Sequence, residues 1–251
     1  MSTGVDAVVV THGPQPELER CLETLRPQVD ELVVVANPPA PEADAKLIVN
    51  EKDAGFAANA NTGIAATSAP FLVIANPDTE ARPDAVRALR EFAELHPRAG
   101  VIGPQMLFPD GRWQPSRRRF PTVSGTIVRR TPLLRNILRP QTRQVDHYLL
   151  EERPSEPIQA DWMLAAFLLL RREMLEELGG FDAGFRLYGE DIDLCYRAAK
   201  AGWERWYVPQ ATVRHAHDAL TDRRFFTRQT LWHWRSIARF VRKHPERLRN
   251  I

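Results

Sequence analysis

Three carboxylates, Glu190, Asp191 and Asp193, crowd into four positions after an aromatic- and glycine-rich stretch, Phe181 to Gly189. Leu194, Cys195, Ala198 and Ala199 follow at helical spacing, so the cluster sits at or just before a helix start. Acidic side chains there are favoured by the helix dipole alone, as caps and first-turn charges. They also suit a general base at a cleft mouth, taking a proton from an acceptor hydroxyl. A further carboxylate, Asp78 in Asn76-Pro77-Asp78-Thr79, follows the fully apolar run Phe71 to Ala75. A hard divalent cation that bridges two phosphates needs few protein oxygens, and Asp78 offers one. His215 and His217 lie beyond the strand signal Trp206 to Val208. Histidines so placed are ordinarily structural; they matter where a site calls for a neutral nitrogen ligand to Mn2+ or Mg2+.

The elements that must position these groups alternate strand and helix signals, which predicts an α/β fold with a mostly parallel central sheet. Val5 to Val10 reads as a fully buried strand. Leu18, Cys21, Leu22 and Leu25 mark a helix, Leu32 to Ala36 a second strand, and Leu47 to Val49 a short third. A helix over Phe56 to Ala66, the strand Phe71 to Ala75, a helix over Pro83 to Leu95 and a short strand near Val101 complete the first half. Beyond it, the apolar run Trp162 to Leu170 suits one buried strand, followed by a helix near Glu173 to Leu178. Ligands of open parallel sheets bind beyond the carboxyl ends of strands. Four such ends are Thr11-His12, Asn37-Pro38, Glu51-Lys52-Asp53 and Asn76-Pro77-Asp78, although Asn-Pro pairs are also ordinary turn formers. The small-residue stretch Gly55 to Gly63 has neither dinucleotide nor phosphate-loop spacing, so redox-cofactor and nucleoside-triphosphatase readings have no motif behind them.

The net charge of +2 conceals segregation. Arg112 to Arg143 holds nine arginines and no acid, and Arg223 to Ile251 holds nine Lys or Arg against Glu246 alone. Such patches suit a diphosphate or an acidic membrane surface, or are simply solvated faces. The segment from Gly111 to Pro157, with six prolines, is too long for an inert linker and reads as an active-site or partner-facing loop. No apolar run is long enough to span a bilayer. The two cysteines, Cys21 and Cys195, read as reduced core thiols of a cytoplasmic protein, with a single disulfide between them as the alternative.

Taken in order, the motifs resemble those of the inverting family-2 nucleotide-sugar glycosyltransferases, and most closely their bacterial rhamnosyltransferase-like branch. The matching pieces are Val8 to His12, Gly55 to Ile64, Asn76 to Thr79, Asp110-Gly111, Arg118-Arg119-Phe120-Pro121-Thr122, Gly179 to Asp182, Gly189 to Cys195 and Val213-Arg214-His215. The resemblance implies a GT-A-like nucleotide-binding domain and transfer of a sugar, such as rhamnose, onto a hydroxyl in polysaccharide or glycolipid synthesis. It implies that Asp191 is the catalytic base and that Asp78, with His215, meets Mg2+ or Mn2+. Thr11, His12, Asn37, Asp53, Asn61, Asn76 and Asp78 would line the donor site, and Trp162 and Glu190 the acceptor side. The donor would be a dTDP- or UDP-linked sugar and the acceptor a glycan or lipid-linked hydroxyl, with no nucleic-acid partner. Two departures stand out: Asn37 ends the second strand where the family usually has an acid that contacts the nucleobase, and Leu164-Ala165 replaces a Ser-Gly pair on the acceptor side. They motivate the competing class, a catalytically degenerate module that binds nucleotide sugar or lipid without turnover.

The expected division is a catalytic domain over 1–218, with a nucleotide-sugar half (1–103) and an acceptor-side half (104–218), then a basic aromatic helix in 219–251. That helix, from about Arg223 to His244, carries Phe225, Phe226, Leu231, Trp232, Trp234, Ile237, Phe240 and Val241 among its basic residues. Such a pattern suits peripheral contact with the inner face of the plasma membrane, packing on the catalytic domain, or a homodimer interface.

Overall fold

The structure, a computed structural model, describes residues 4–120, 152–216 and 228–248. Most of the arginine-rich stretch, as well as His217, Phe225 and Phe226, lies outside the described residues, so the expectations placed on them are not taken further.

β1 (Val5–Thr11), β2 (Leu32–Ala36) and β4 (Phe71–Ala75) are buried along their whole length. Continuous apolar runs rich in β-branched residues are stable only with both sheet faces covered. β3 (Lys46–Val49) is an edge strand and largely exposed. These four pair in parallel in the order β3-β2-β1-β4. β11 (Phe167–Arg171) then runs antiparallel between β4 and β6 (Ala99–Leu107). β12 (Glu204–His215) pairs in parallel with β6, and β5 (Thr79–Ala81) closes the far edge antiparallel to β12. β7 (Trp113–Gln114) and β9 (Ile158–Gln159) extend β6 and β12. A separate small ribbon joins β8 (Arg117–Arg118) to β10 (Trp162–Met163).

The period of two along the strands divides the core between the sheet's faces. Ala7, Val9, Val34 and Val73 face α1 (Leu18–Leu25) and α3 (Ala85–Leu95). Val8, Val10, Val33, Leu72 and Ile74 face α2 (Phe56–Ala65), α4 (Arg172–Leu178) and α5 (Glu190–Lys200). α2 lies so close to β1 that a Cβ on Gly63 would stand 2.2 Å from Val8 Cγ1. A basic helix, α6 (Arg228–Lys243), and a short 3-10 turn (Pro245–Leu248) follow β12. Cys21 and Cys195 are buried and unpaired.

The expected α/β architecture is present, with three differences in detail. The run Trp162 to Leu170 is two strands, β10 and β11, separated by a turn at Leu164–Ala166. Hydrophobicity is continuous across that turn because the turn itself is packed inside the molecule, with Ala165 and Ala166 both buried. The strand near Val101 spans nine residues, and Trp206 to Val208 is part of a twelve-residue strand whose register shifts between Val208 and Thr212. The parallel sheet is interrupted by β11, which makes it mixed.

Candidate active site

The loop before α5 ends in two residues of left-handed conformation, Tyr188 (φ 65°) and Gly189 (φ 93°). Glycine adopts it freely; for tyrosine it is strained and must be held by its surroundings. The helix that starts there gives its three carboxylates three different environments. Asp191 is partly buried, and its Oδ1 accepts from Ile192 N–H at 2.8 Å. Burial pushes its carboxyl above the ordinary range, against the Ile192 N–H, the Arg118 charge and the Ala165 backbone. Glu190 is buried, with Oε2 lacking any hydrogen-bond partner, and its carboxyl is raised by burial first and by Asp191 second. Adjacent acids shifted this way transfer protons nearer neutral pH than free carboxylates do. Asp193, fully buried, accepts from Arg197 Nε at 2.7 Å and from His244 Nε2 at 2.8 Å, which makes it a structural acid.

Asp78 and His215 lie 137 positions apart in sequence, and the β5–β12 pairing joins them. His215 is opposite Thr79 in the register, and Ala216 N–H donates to Asp78 O at 2.9 Å. His215 Nε2 stands 3.4 Å from Asp78 Oδ2, and His215 Nδ1 donates to Gln114 Oε1 at 3.0 Å. With Nδ1 engaged by Gln114, Nε2 is the His215 nitrogen turned towards the Asp78 carboxylate. A carboxylate and an imidazole nitrogen at this separation, the ring held by a hydrogen bond on its far nitrogen, are ligand types that suit a divalent cation. Among the described residues no group of three or more His, Cys, Asp or Glu could hold a metal ion. Further ligands would therefore come from phosphate oxygens and water.

The remaining strand ends form a polar network around Asn37, which is buried. Its amide orientation is set by the Ala54 backbone: Oδ1 accepts from Ala54 N–H at 3.0 Å and Nδ2 donates to Ala54 O at 2.9 Å. Asp53 Oδ1 and His12 Nδ1, each at 2.8 Å, share the two Nδ2 hydrogens with Ala54 O. Asn50 and Asn59 donate to Asn37 Oδ1 at 3.0 and 3.3 Å. His12 Nδ1 is thus an acceptor, and the neutral ring carries its proton on Nε2. Burial lowers the His12 pKa, with Asp53 opposing and Arg186 adding to the effect. Asp53 pairs with Arg186 from the loop before α5. Asn37 therefore supports His12 and Asp53 from beneath.

Thr11 turns inward, its hydroxyl donating to Gly13 O at 2.6 Å. Asn61 is also drawn away from the other strand ends: both sides of its amide engage the Phe181 backbone, at 2.7 and 2.9 Å. Asn76 donates its backbone N–H to Ala166 O at 2.8 Å. The Ala165 backbone also favours the Asp191 charge, so this turn borders both the acidic helix and the end of β4 that leads to Asp78. On the acceptor side, Trp162 is buried, with Nε1 donating to Arg119 O at 2.8 Å. The Arg118 guanidinium lies 5.3 Å from its ring centroid, so Trp162 works as a seat for Arg118. Arg118, Gln114 and Arg186 were not among the site residues expected from sequence. Arg118 sits in the quoted Arg-Arg-Phe-Pro-Thr motif, whereas nothing local to Gln114 or Arg186 signals a role.

Residues 7–233 match the model of the family described as glycosyltransferase like family 2. The N-acetylglucosaminyl-diphospho-decaprenol L-rhamnosyltransferase of Mycobacterium tuberculosis is 30% identical over 249 residues, covering 88% of this chain and 80% of that protein. Rhamnosyltransferase WbbL of Escherichia coli K12 is 38% identical over 82 residues, 32% of this chain and 30% of its own length. Among solved structures, GalNAc-T7 with UDP, GalNAc and Mn2+ superposes with a TM-score of 0.60 at 15% identity, covering 84% of this chain and 43% of that one. The mannosyltransferase PcManGT of Pyrobaculum calidifontis, in complex with GDP-Man and Mn2+, gives 0.57 at 18% identity, covering 95% and 64%. At such identities the two structures establish the GT-A fold.

Proposed function

The chain belongs to glycosyltransferase family 2, and from that premise we propose that it is an inverting enzyme that transfers a deoxyhexose such as rhamnose. The donor is a dTDP- or UDP-linked sugar and the acceptor a lipid-linked or glycan hydroxyl in cell-surface polysaccharide synthesis. Two of its relatives are rhamnosyltransferases, one of them acting on a diphospho-decaprenol-linked sugar, which supports this choice. The observation that carries the reading is that one buried turn, Leu164–Ala166, borders both Asp191, whose charge the Ala165 backbone favours, and Asn76, two residues before Asp78, whose N–H donates to Ala166 O.

In this reading Asp191 accepts the acceptor's hydroxyl proton as that oxygen bonds to the anomeric carbon. The bond from that carbon to the diphosphate breaks on the opposite face, and the electron pair leaves with the diphosphate. A cation, Mg2+ or Mn2+, held by Asp78 with His215, would offset the leaving group's charge. His12 and Asp53 line the nucleobase end, held by Asn37, and Arg118 meets the acceptor. The raised pKa of Glu190 keeps a neutral acid next to the base, so two negative charges need not share one buried site. A degenerate binding module is disfavoured by the rhamnosyltransferase relatives and by the presence of both Asp78 and Asp191.

A panel of nucleoside diphosphate sugars tests the activity: turnover with at least one donor, lost in Asp191→Asn, is expected. Binding without turnover across the panel would leave the module reading. For the metal, donor affinity should rise with Mn2+ in the native chain and not in Asp78→Ala; equal affinity in both, with and without the ion, would remove Asp78 from that role.

No helix among the described residues is long and apolar enough to cross a membrane. We assign the enzyme to the inner face of the plasma membrane as a peripheral protein, because α6 leaves Trp234, Arg235 and Arg242 exposed on one side. Flotation with anionic liposomes at low salt checks this; no binding would favour a soluble acceptor.

A further inference from the structure

The basic terminal helix carries Ser236, Phe240 and His244 at intervals of four, which puts them on one face. All three are buried against the loop and helix that bear the acidic cluster. Ser236 Oγ donates to Leu187 O at 3.1 Å, in the middle of the loop before α5. Phe240 meets Tyr196 of α5 with ring centroids 5.8 Å apart. His244 Nε2 donates to Asp193 Oδ1 at 2.8 Å. Flanking the stripe, Arg239 Nη2 donates to Asp182 Oδ1 at 2.7 Å. Lys243 Nζ reaches both acids, Asp182 Oδ2 at 2.8 Å and Asp193 Oδ1 at 2.9 Å.

Asp182 opens the loop and Asp193 lies in the first turn of the helix that follows it, so α6 holds the segment at both ends and in its middle. The segment needs holding, because Tyr188 adopts a left-handed conformation that a tyrosine does not keep unaided. Asp193 N–H donates to Gly189 O at 2.9 Å, closing the turn that contains Asp191. The contact extends to the opposite side of the site. Trp232 of α6 lies 4.8 Å from the Arg186 guanidinium, which pairs with Asp53, and Arg186 O accepts from Phe56 N–H at 3.1 Å. The whole stripe from Ser236 to His244 lies beyond residue 233, where the family match ends.

We propose that α6 is an intramolecular clamp that positions the base-bearing turn of α5, with His244 and Arg239 as positioning residues acting through Asp193 and Asp182. Asp193, which sequence alone makes a rival for the base, is the socket of that clamp. The proposal rests on Asp191 being the base, so its first readout needs no turnover.

The test uses the full chain as His244→Ala and His244→Gln, the latter keeping an N–H donor for Asp193. Amide hydrogen exchange in peptides spanning 182–195 should quicken about tenfold or more in His244→Ala and return towards native in His244→Gln. With a donor in hand, kcat should fall about tenfold in His244→Ala while donor KM stays within about twofold, as loss of alignment without loss of binding requires. Faster exchange confined to 236–248, or an unchanged kcat in a folded His244→Ala, overturns the clamp. If His244→Ala does not fold, Arg239→Gln, at a partly exposed pair, is measured by the same criteria. A native chain inactive with every donor would count against the role of Asp191, and the exchange experiment would still decide the clamp.

Discussion

Asp191→Asn is the sharpest perturbation of the proposed chemistry, because the structure separates its catalytic cost from its structural one. The substitution keeps shape, and the new Oδ1 still accepts from Ile192 N–H, at 2.8 Å in the native chain. The turn before β11 keeps its own tie to β4, because Asn76 N–H donates to Ala166 O and does not involve Asp191. What disappears is the lone pair that takes the proton. General-base loss costs about 10²–10⁴ in turnover, or about 3–5 kcal/mol of barrier at 1.36 kcal/mol per tenfold. Stability should hold or rise. The native carboxyl is raised by burial, so its ionised form opposes folding at neutral pH, and the amide removes that opposition. The assay is release of nucleoside diphosphate under saturating donor, with donor Kd by calorimetry and Tm by scanning calorimetry. Native-like Kd and Tm with kcat down at least a hundredfold is the expected result. A kcat within about threefold of native refutes the role of Asp191, and a collapsed Tm refutes the claim that its contacts survive the change.

Four further outcomes follow from the same geometry. Because burial raises both Glu190 and Asp191, kcat/KM should fall on acidification at a pH above the ordinary carboxylate range; a limb near pH 4 would contradict the shift. The sign for stability is opposite: folded values above unfolded ones give stability that is present below the unfolded pKa and lost as pH rises through the folded values, and Glu190→Gln should flatten that slope in urea titrations. Asn37→Asp turns the donor to Asp53, His12 and Ala54 O into an acceptor facing acceptors, and should cost at least about 1–3 kcal/mol; an unchanged urea midpoint at constant m would show that the network does not matter. Gly63→Ala would place its Cβ 2.2 Å from Val8 Cγ1 and should lower stability by about 1–3 kcal/mol, although alanine favours helix by up to about 1; a higher Tm would mean α2 moves freely off β1.

The sequence by itself determined the buried parallel strands, the helices and the family. Val5 to Val10, Leu32 to Ala36 and Phe71 to Ala75 are runs whose burial on both faces follows from composition, and each is a strand within a residue. The helix start at Glu190 was legible because a glycine, clustered acids and helical apolar spacing coincide there. Contacts between distant segments were not legible. Nothing near Gln114 announces that it orients His215, and nothing near Asp78 announces a histidine 3.4 Å away; the β7–β6 and β6–β12 pairings supply the first and the β5–β12 pairing the second. The turn at Leu164–Ala166 was hidden inside an apolar run because it too is buried, so hydrophobicity could not mark it. The three clustered acids look alike in sequence. They differ only because Glu190 is buried with an oxygen left unpartnered, Asp191 borders the turn to β11, and Asp193 is paired with cations from Arg197 and α6. Residue type and spacing set which groups can carry charge, whereas burial and partners from remote segments set which of them hold a proton, take one, or anchor a helix.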